Sequence, residues 1–257
     1  AKRAEKADFD FIELQFGHGY LAAQFISPKV NDRTDEYGGS FENRIAFPLQ
    51  ILDAVKSATG LPVIVRISGD EMIQDGIKID EMIKFSQILS EKSVKAIHVS
   101  AGTVCNTPPW FFQHMFVPKG KTWEFANKIK EAIDVPVIYV GQINTFADID
   151  KIRNEFGGDY IALGRPLVAD PDFIGKYLGK VKGIPRPCLA CSEGCLGGVR
   201  SKNGLGCTVN PTVGNEKNEI QKADIVRKIA VIGGGLAGMQ AAVTLNERGH
   251  KTVSYTH

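Results

Sequence analysis

An α/β fold built on a parallel sheet follows from three features of this 257-residue sequence. Short apolar, β-rich runs recur, a polar or Gly-rich stretch follows each one, and segments with apolar residues at helical spacing lie between them. The runs are FDFIELQF (9–16), PVIVRIS (62–68), AIHVSA (96–101), PVIYVG (136–141) and DYIALG (159–164). Helices are expected around Ile45–Thr59, Ile79–Ser90, Trp123–Ala132 and Phe146–Asn154. In the second, Ile79, Met82, Ile83, Ile88 and Leu89 would face the sheet. Near-continuous apolar strands imply a sheet covered on both faces. Five such units over residues 1–180 suit part of a (β/α)8 TIM barrel, where chemistry sits at the C-terminal ends of the strands. A doubly wound open sheet is the alternative.

Residues 181–227 form a second segment, a linker around Cys188, Cys191, Cys195 and Cys207 in the pattern C-x2-C-x3-C-x11-C. Tight spacing lets one loop converge several thiolates on a metal, and the glycines at 194, 197, 198, 204 and 206 relieve the crowding this causes. A [4Fe–4S] cluster, a tetrahedral zinc site and disulfides all fit the spacing alone.

The third segment, 228–257, reads KIAVIGGGLAGMQAAVTLNERGHKTVSYTH. An apolar strand (229–232) meets Gly233-x-Gly235-x-x-Gly238, an Ala-rich helix (237–248) and a second strand (251–255). That is the context in which such glycines bring backbone up to a pyrophosphate, as at the start of a Rossmann-like dinucleotide-binding domain. The acidic residue that usually closes the second strand on a ribose is missing, since Thr256 stands there.

The net charge is +2 and 43% of residues are hydrophobic, with no basic run interleaved with aromatics, so nucleic acid is not an expected partner. No uninterrupted apolar run approaches the ~18 residues of a membrane span. A reducing, cytoplasmic setting is expected. Ala1 opens on a helix end and His257 follows a second strand, so the chain reads as an internal piece of a larger enzyme.

The order of parts, together with HGYLAAQFISPKVNDRTDEYGGSFENR (18–44), VRIS (65–68), GQI (141–143), LGRPLVADP (163–171) and the cysteine loop, resembles the old yellow enzyme-like NADH:flavin oxidoreductases that carry an iron–sulfur cluster. That group includes 2,4-dienoyl-CoA reductase, 2-enoate reductase and bile-acid oxidoreductases. The resemblance implies FMN in the barrel, a [4Fe–4S] cluster on the four cysteines, FAD in the C-terminal domain and NAD(P)H as electron donor. The substrate would carry an activated C=C bond, as an enoate, an enoyl or dienoyl thioester, or a steroid-like enone. By strand count FIELQF corresponds to the fourth barrel strand, so this piece would hold strands four to eight and be inactive alone. An amine dehydrogenase of the trimethylamine dehydrogenase type, or an inactive metal-binding fragment, is the alternative. The three residues between Cys191 and Cys195 favour the reductase branch.

Reducing an enoyl system needs a proton on the α-carbon, and a phenol can hold that proton in a dry pocket. Tyr20, in HGY at a strand end, matches the family's proton donor. His18 would stabilise the substrate's carbonyl oxygen, and Gln15 stands where many enone reductases have a second histidine. Arg66 would lie beside the flavin's N1/C2 edge, and Gly141, Gln142, Gly164 and Arg165 would bind the FMN phosphate. Gly233, Gly235 and Gly238 would bind FAD. Cys105 reads as a buried inert thiol and His98 as a satisfied core residue. Trp110, Phe111 and Phe112 could wall the substrate site. The second catalytic histidine of dienoyl-CoA reductases has no aligned counterpart, His114 lying nine residues beyond Cys105.

Overall fold

The computed structural model describes residues 1–216 and 218–255. In chain order they form α1 (Lys2–Lys6), β1 (Ile12–Gln15), α2 (Leu21–Ile26), α3 (Phe41–Ala58), β2 (Val63–Ser68), α4 (Ile79–Glu91) and β3 (Ile97–Ser100). Then come α5 (Pro108–Phe111), α6 (Lys121–Lys130), β4 (Val137–Val140), α7 (Phe146–Glu155), β5 (Tyr160–Ala162), α8 (Arg165–Ala169) and α9 (Phe173–Tyr177). A π-helical turn (Glu193–Gly197) runs into α10 (Gly198–Arg200), and β6 (Lys228–Ile232), α11 (Leu236–Glu247) and β7 (Lys251–Tyr255) follow.

Strands β1 to β5 make one parallel sheet in sequence order, with helices on the connections, as in a TIM-barrel-like fold. Residues Gln15, Arg66, His98, Ile138 and Tyr160 share one row across it. The neighbouring row, Leu14, Val65, Ile97 and Val137, carries the core: Val65, Ile97 and Val137 are fully buried and cluster with Phe85, Leu89 and Ile129 from the helices. The strands are therefore less uniformly apolar than the sequence suggests. Period-two alternation puts aliphatic residues against the helices and Glu13, Gln15, Arg66, Ser68, His98 and Ser100 on the opposite face.

Local chemistry sets the helix ends. Ser40 Oγ accepts the Asn43 N–H (3.2 Å), so α3 begins at Phe41, before the apolar periodicity becomes visible at Ile45. Thr145 and Asp148 form a reciprocal capping box at the start of α7. In α4 the buried stripe is Met82, Phe85, Ser86 and Leu89, with Ile79, Ile83 and Ile88 only partly covered. Phe85, absent from the expected face, sits at its centre.

Two compact units result, Ala1–Pro211 and Thr212–His257. All four cysteines of the expected 181–227 segment fall within the first unit. Asp170 explains this, because its carboxylate accepts both the Arg186 N–H (2.9 Å) and Lys176 Nζ (2.7 Å). Arg186 Nη1 then reaches Asn210 Oδ1 (3.2 Å), and Asn210 Nδ2 donates to the Val168 carbonyl (2.9 Å). Both feet of the cysteine loop are tied to α8 and its exit. In the second unit, β6 and β7 pair in parallel around α11. Thr256 lies outside the described residues. Among those described, no helix is long and apolar enough to cross a membrane.

Candidate active site

A cavity of about 420 Å³ opens at the C-terminal ends of the strands, lined by Arg66, Ser100, Val140 and Ala162 from the polar face of the sheet. Gly141, Gln142, Gly164 and Arg165 line it too, as do Phe111, Phe112, Gln113, Cys195 and Leu196. Arg66 Nε and Gln113 Oε1 are buried without a protein partner. An unpaired buried donor and acceptor each cost about 1–3 kcal/mol, so a polar ligand between them would recover that penalty. Burial draws the Arg66 guanidinium below its ordinary pKa, while nearby Glu13 holds it up. The size, the cation and the orphaned polar atoms all fit a flavin-sized group.

Two expected ligands are partly committed elsewhere. The Gln142 side chain donates to the carbonyls of His114 (3.0 Å) and Val117 (3.2 Å), which leaves its backbone as the surface toward the cavity. Arg165 donates to the Gln113 carbonyl (2.8 Å) and Ser192 Oγ (3.0 Å), so its guanidinium bridges the cavity and the cysteine loop.

His18, Tyr20 and Gln15 do not line this cavity; His18 and Tyr20 pack against Phe111, which does, and Gln15 is hydrogen-bonded to His18. The His18 ring meets the Phe111 ring edge-on at 4.6 Å, and the Tyr20 ring does so at 6.5 Å. Tyr20 is exposed at the start of α2, whereas His18 is buried with φ 64°. Its backbone N–H donates to Ser68 Oγ at 2.9 Å.

Hydrogen bonding fixes the His18 tautomer. The Gly17 backbone N–H can only donate, so the Gln15 atom 3.1 Å away is the amide oxygen. The Gln15 amide nitrogen then donates to His18 Nδ1 (3.2 Å), which leaves the proton on Nε2. Nε2 is buried and has no partner. The site thus presents one unsatisfied N–H on a neutral ring. Burial pushes the imidazole pKa down to about 3, and the nearby Arg66 charge adds to the shift.

Unfolded His18 takes up a proton near pH 6.5, whereas folded His18 resists it until about pH 3. Stability should therefore fall as pH drops through that window, by about 1.4 kcal/mol per pH unit from this group. Denaturant midpoints of wild type and His18→Asn between pH 4 and 7 should converge toward the acid end; parallel curves would mean that His18 ionises normally.

All four predicted cysteines line one narrow cleft with Arg165, Ser192 and Thr208, and all five cysteines of the chain are free. Burial raises the Cys188 thiol, and the nearby Cys207 and Cys195 raise it further, against the Arg165 charge. A metal cation bound in the cleft would favour the deprotonated form of Cys188. Gly194 lies against the Cys207 backbone, where a β-carbon would come within 2.8 Å of Cys207 Cα. Cys191 sits between two non-glycine residues in the left-handed region, Ala190 (φ 55°) and Ser192 (φ 60°), which costs on the order of 1–2 kcal/mol each. Among the described residues, no group of three or more His, Cys, Asp or Glu is set to hold a metal ion. A cubane places its four cysteines on four different irons, so its ligands stand farther apart than those of a mononuclear site.

Cys105 is exposed rather than buried as expected. His98 is buried but only half satisfied: Nδ1 meets Glu13 Oε2 at 2.9 Å, and Nε2 has no partner. Phe111 and Phe112 line the cavity and Trp110 does not. Gln113 belongs to no local pattern and was not foreseen, and Ser192 counts in the sequence pattern only as a spacer between Cys191 and Cys195. In the second unit, Gly235 caps α11 and faces open space, and a β-carbon on Gly238 would collide with the Gly233 carbonyl. That close approach is what the third glycine of the dinucleotide motif provides.

Known proteins resemble this chain in sequence and in fold. The model for an FAD binding domain matches residues 228–256. An NADH oxidase of Thermoanaerobacter brockii is 41% identical over 99% of this chain and 40% of its own length. A cinnamate reductase of Clostridium sporogenes is 35% identical over 98% of this chain and 40% of its own length. This chain therefore spans about 40% of these relatives. Among solved structures, a 2-naphthoyl-CoA reductase complex superposes with TM-score 0.83 at 29% identity, over 97% of this chain and 39% of that one. Histamine dehydrogenase from Rhizobium sp. 4-9 gives 0.79 at 29% identity, over 98% and 37%. The model of the NADH:flavin oxidoreductase / NADH oxidase family matches residues 1–181, and the chain belongs to that family.

Proposed function

We propose that this chain is part of a flavin- and iron–sulfur-dependent oxidoreductase that reduces an activated C=C bond with electrons from NAD(P)H. One observation carries the reading: Cys195 and Leu196 of the cysteine loop line the same cavity as Arg66. FMN would be held by Arg66, Gln113, Gly164 and the backbone at Gly141 and Gln142. Arg165 would reach it from the side of the cysteine loop. A [4Fe–4S] cluster would sit on Cys188, Cys191, Cys195 and Cys207, and FAD at Gly233, Gly235 and Gly238. When bound, these groups supply hydride and single-electron transfer.

The chain's own residues supply the polar chemistry. His18 Nε2–H would donate to the substrate's carbonyl oxygen and stabilise the enolate charge as it develops. A neutral donor suits this task, because it polarises the carbonyl without surrendering its proton. Gln15 holds the ring in the required tautomer. Tyr20 would deliver its phenolic proton to the α-carbon, while Phe111 keeps both side chains against the cavity mouth.

The test is anaerobic turnover of the full-length protein with NAD(P)H and cinnamate or an enoyl thioester. A product heavier by two hydrogens, formed one-to-one with NAD(P)H consumed, is expected. Oxidation of a secondary or tertiary amine with no C=C reduction would overturn the proposal in favour of an amine dehydrogenase.

A further inference from the structure

We infer that His114 is a positioning residue for the cysteine loop, holding the backbone of Cys191 through its imidazole N–H. The inference rests on the reading of that loop as a cluster site and adds a residue outside the four thiolates. The Phe116 backbone N–H can only donate, and it meets His114 Nδ1 at 3.3 Å. The ring proton therefore lies on Nε2, 2.9 Å from the Cys191 carbonyl, which can only accept. The next residue repeats the contact, Met115 N–H donating to the Ala190 carbonyl at 3.0 Å. Two consecutive residues of one turn thus hold two consecutive carbonyls of the loop.

Those carbonyls flank a strained place. Ala190 and Ser192 are both left-handed without being glycine. Rotation of either peptide toward an ordinary conformation would turn the Cys191 side chain away from the cleft it shares with the other three cysteines. The turn is itself fixed from the sheet, because Gln142 Nε2 donates to the carbonyls of His114 and Val117. A continuous set of contacts runs from the end of β4, through His114, to Cys191. The imidazole is committed to this contact rather than to a substrate.

The experiment uses the full-length protein, purified anaerobically, with His114→Ala and His114→Gln. Amide hydrogen exchange across 190–195 and iron release to bathophenanthroline are measured. In His114→Ala both should accelerate about three- to tenfold, the loss of one hydrogen bond, whereas His114→Gln, whose amide reaches the same carbonyl, should stay within about twofold of wild type. Should His114→Ala fail to fold, His114→Asn, with an amide too short to reach, makes the same comparison. Unchanged exchange and iron release in the variant lacking the contact overturn the assignment. Wild-type protein without iron, together with faster exchange in His114→Ala, overturns the cluster and leaves the contact standing.

Discussion

Tyr20→Phe is expected to slow the enoyl half-reaction by about 10²- to 10⁴-fold, the range for losing a positioned general acid. The ring remains, so its edge contact with Phe111 and the start of α2 are kept. Only the hydroxyl is removed, and with it the proton that the proposed reaction delivers to the α-carbon. Reduction of the bound flavin by NAD(P)H does not use that proton and should keep its rate. Stopped-flow measurement of the two half-reactions separates the outcomes. Equal slowing of both would mean that Tyr20 shapes the protein rather than donating a proton.

The second large effect is expected from Cys195→Ala. Of the four thiols, Cys195 is the one that lines both the cavity and the cysteine cleft. Its loss should lower iron content and NAD(P)H-driven turnover to background together. Substrate reduction driven directly by dithionite should survive, because Arg66, His18 and Tyr20 are untouched. Full iron retention would remove Cys195 from the ligand set. Loss of the dithionite-driven reaction would instead point to collapse of the cavity wall.

Much of the fold was legible because it rests on local periodicity. Each of the five apolar runs contains an observed strand, and each expected helix overlaps an observed one. The divergences come from single interactions: the Ser40 cap extends α3, and the left-handed Gly120 starts α6 at Lys121. The polar face of the sheet was only partly visible. Arg66 stood out as a charge within a strand, but Glu13, Ser68 and Ser100 became a polar layer only when the register aligned them.

The site divides in the same way. Glycine and cysteine spacings are local, and the structure brings the four thiols into one cleft and sets Gly238 against Gly233. Contacts between distant segments leave no such trace. His114 meets Cys191 across 77 positions, and Arg165 meets the Gln113 carbonyl across 52. The tautomer of His18 depends on the Gly17 N–H and the Gln15 amide together, an arrangement set by the turn after β1.

Cofactor content of the full-length protein, purified without oxygen, is the decisive measurement. The thiolate loop and the Arg66 cavity together predict about four iron and four acid-labile sulfide per chain, alongside FMN released on denaturation. Zinc in place of iron, or a preparation with neither iron nor sulfide, would contradict the account.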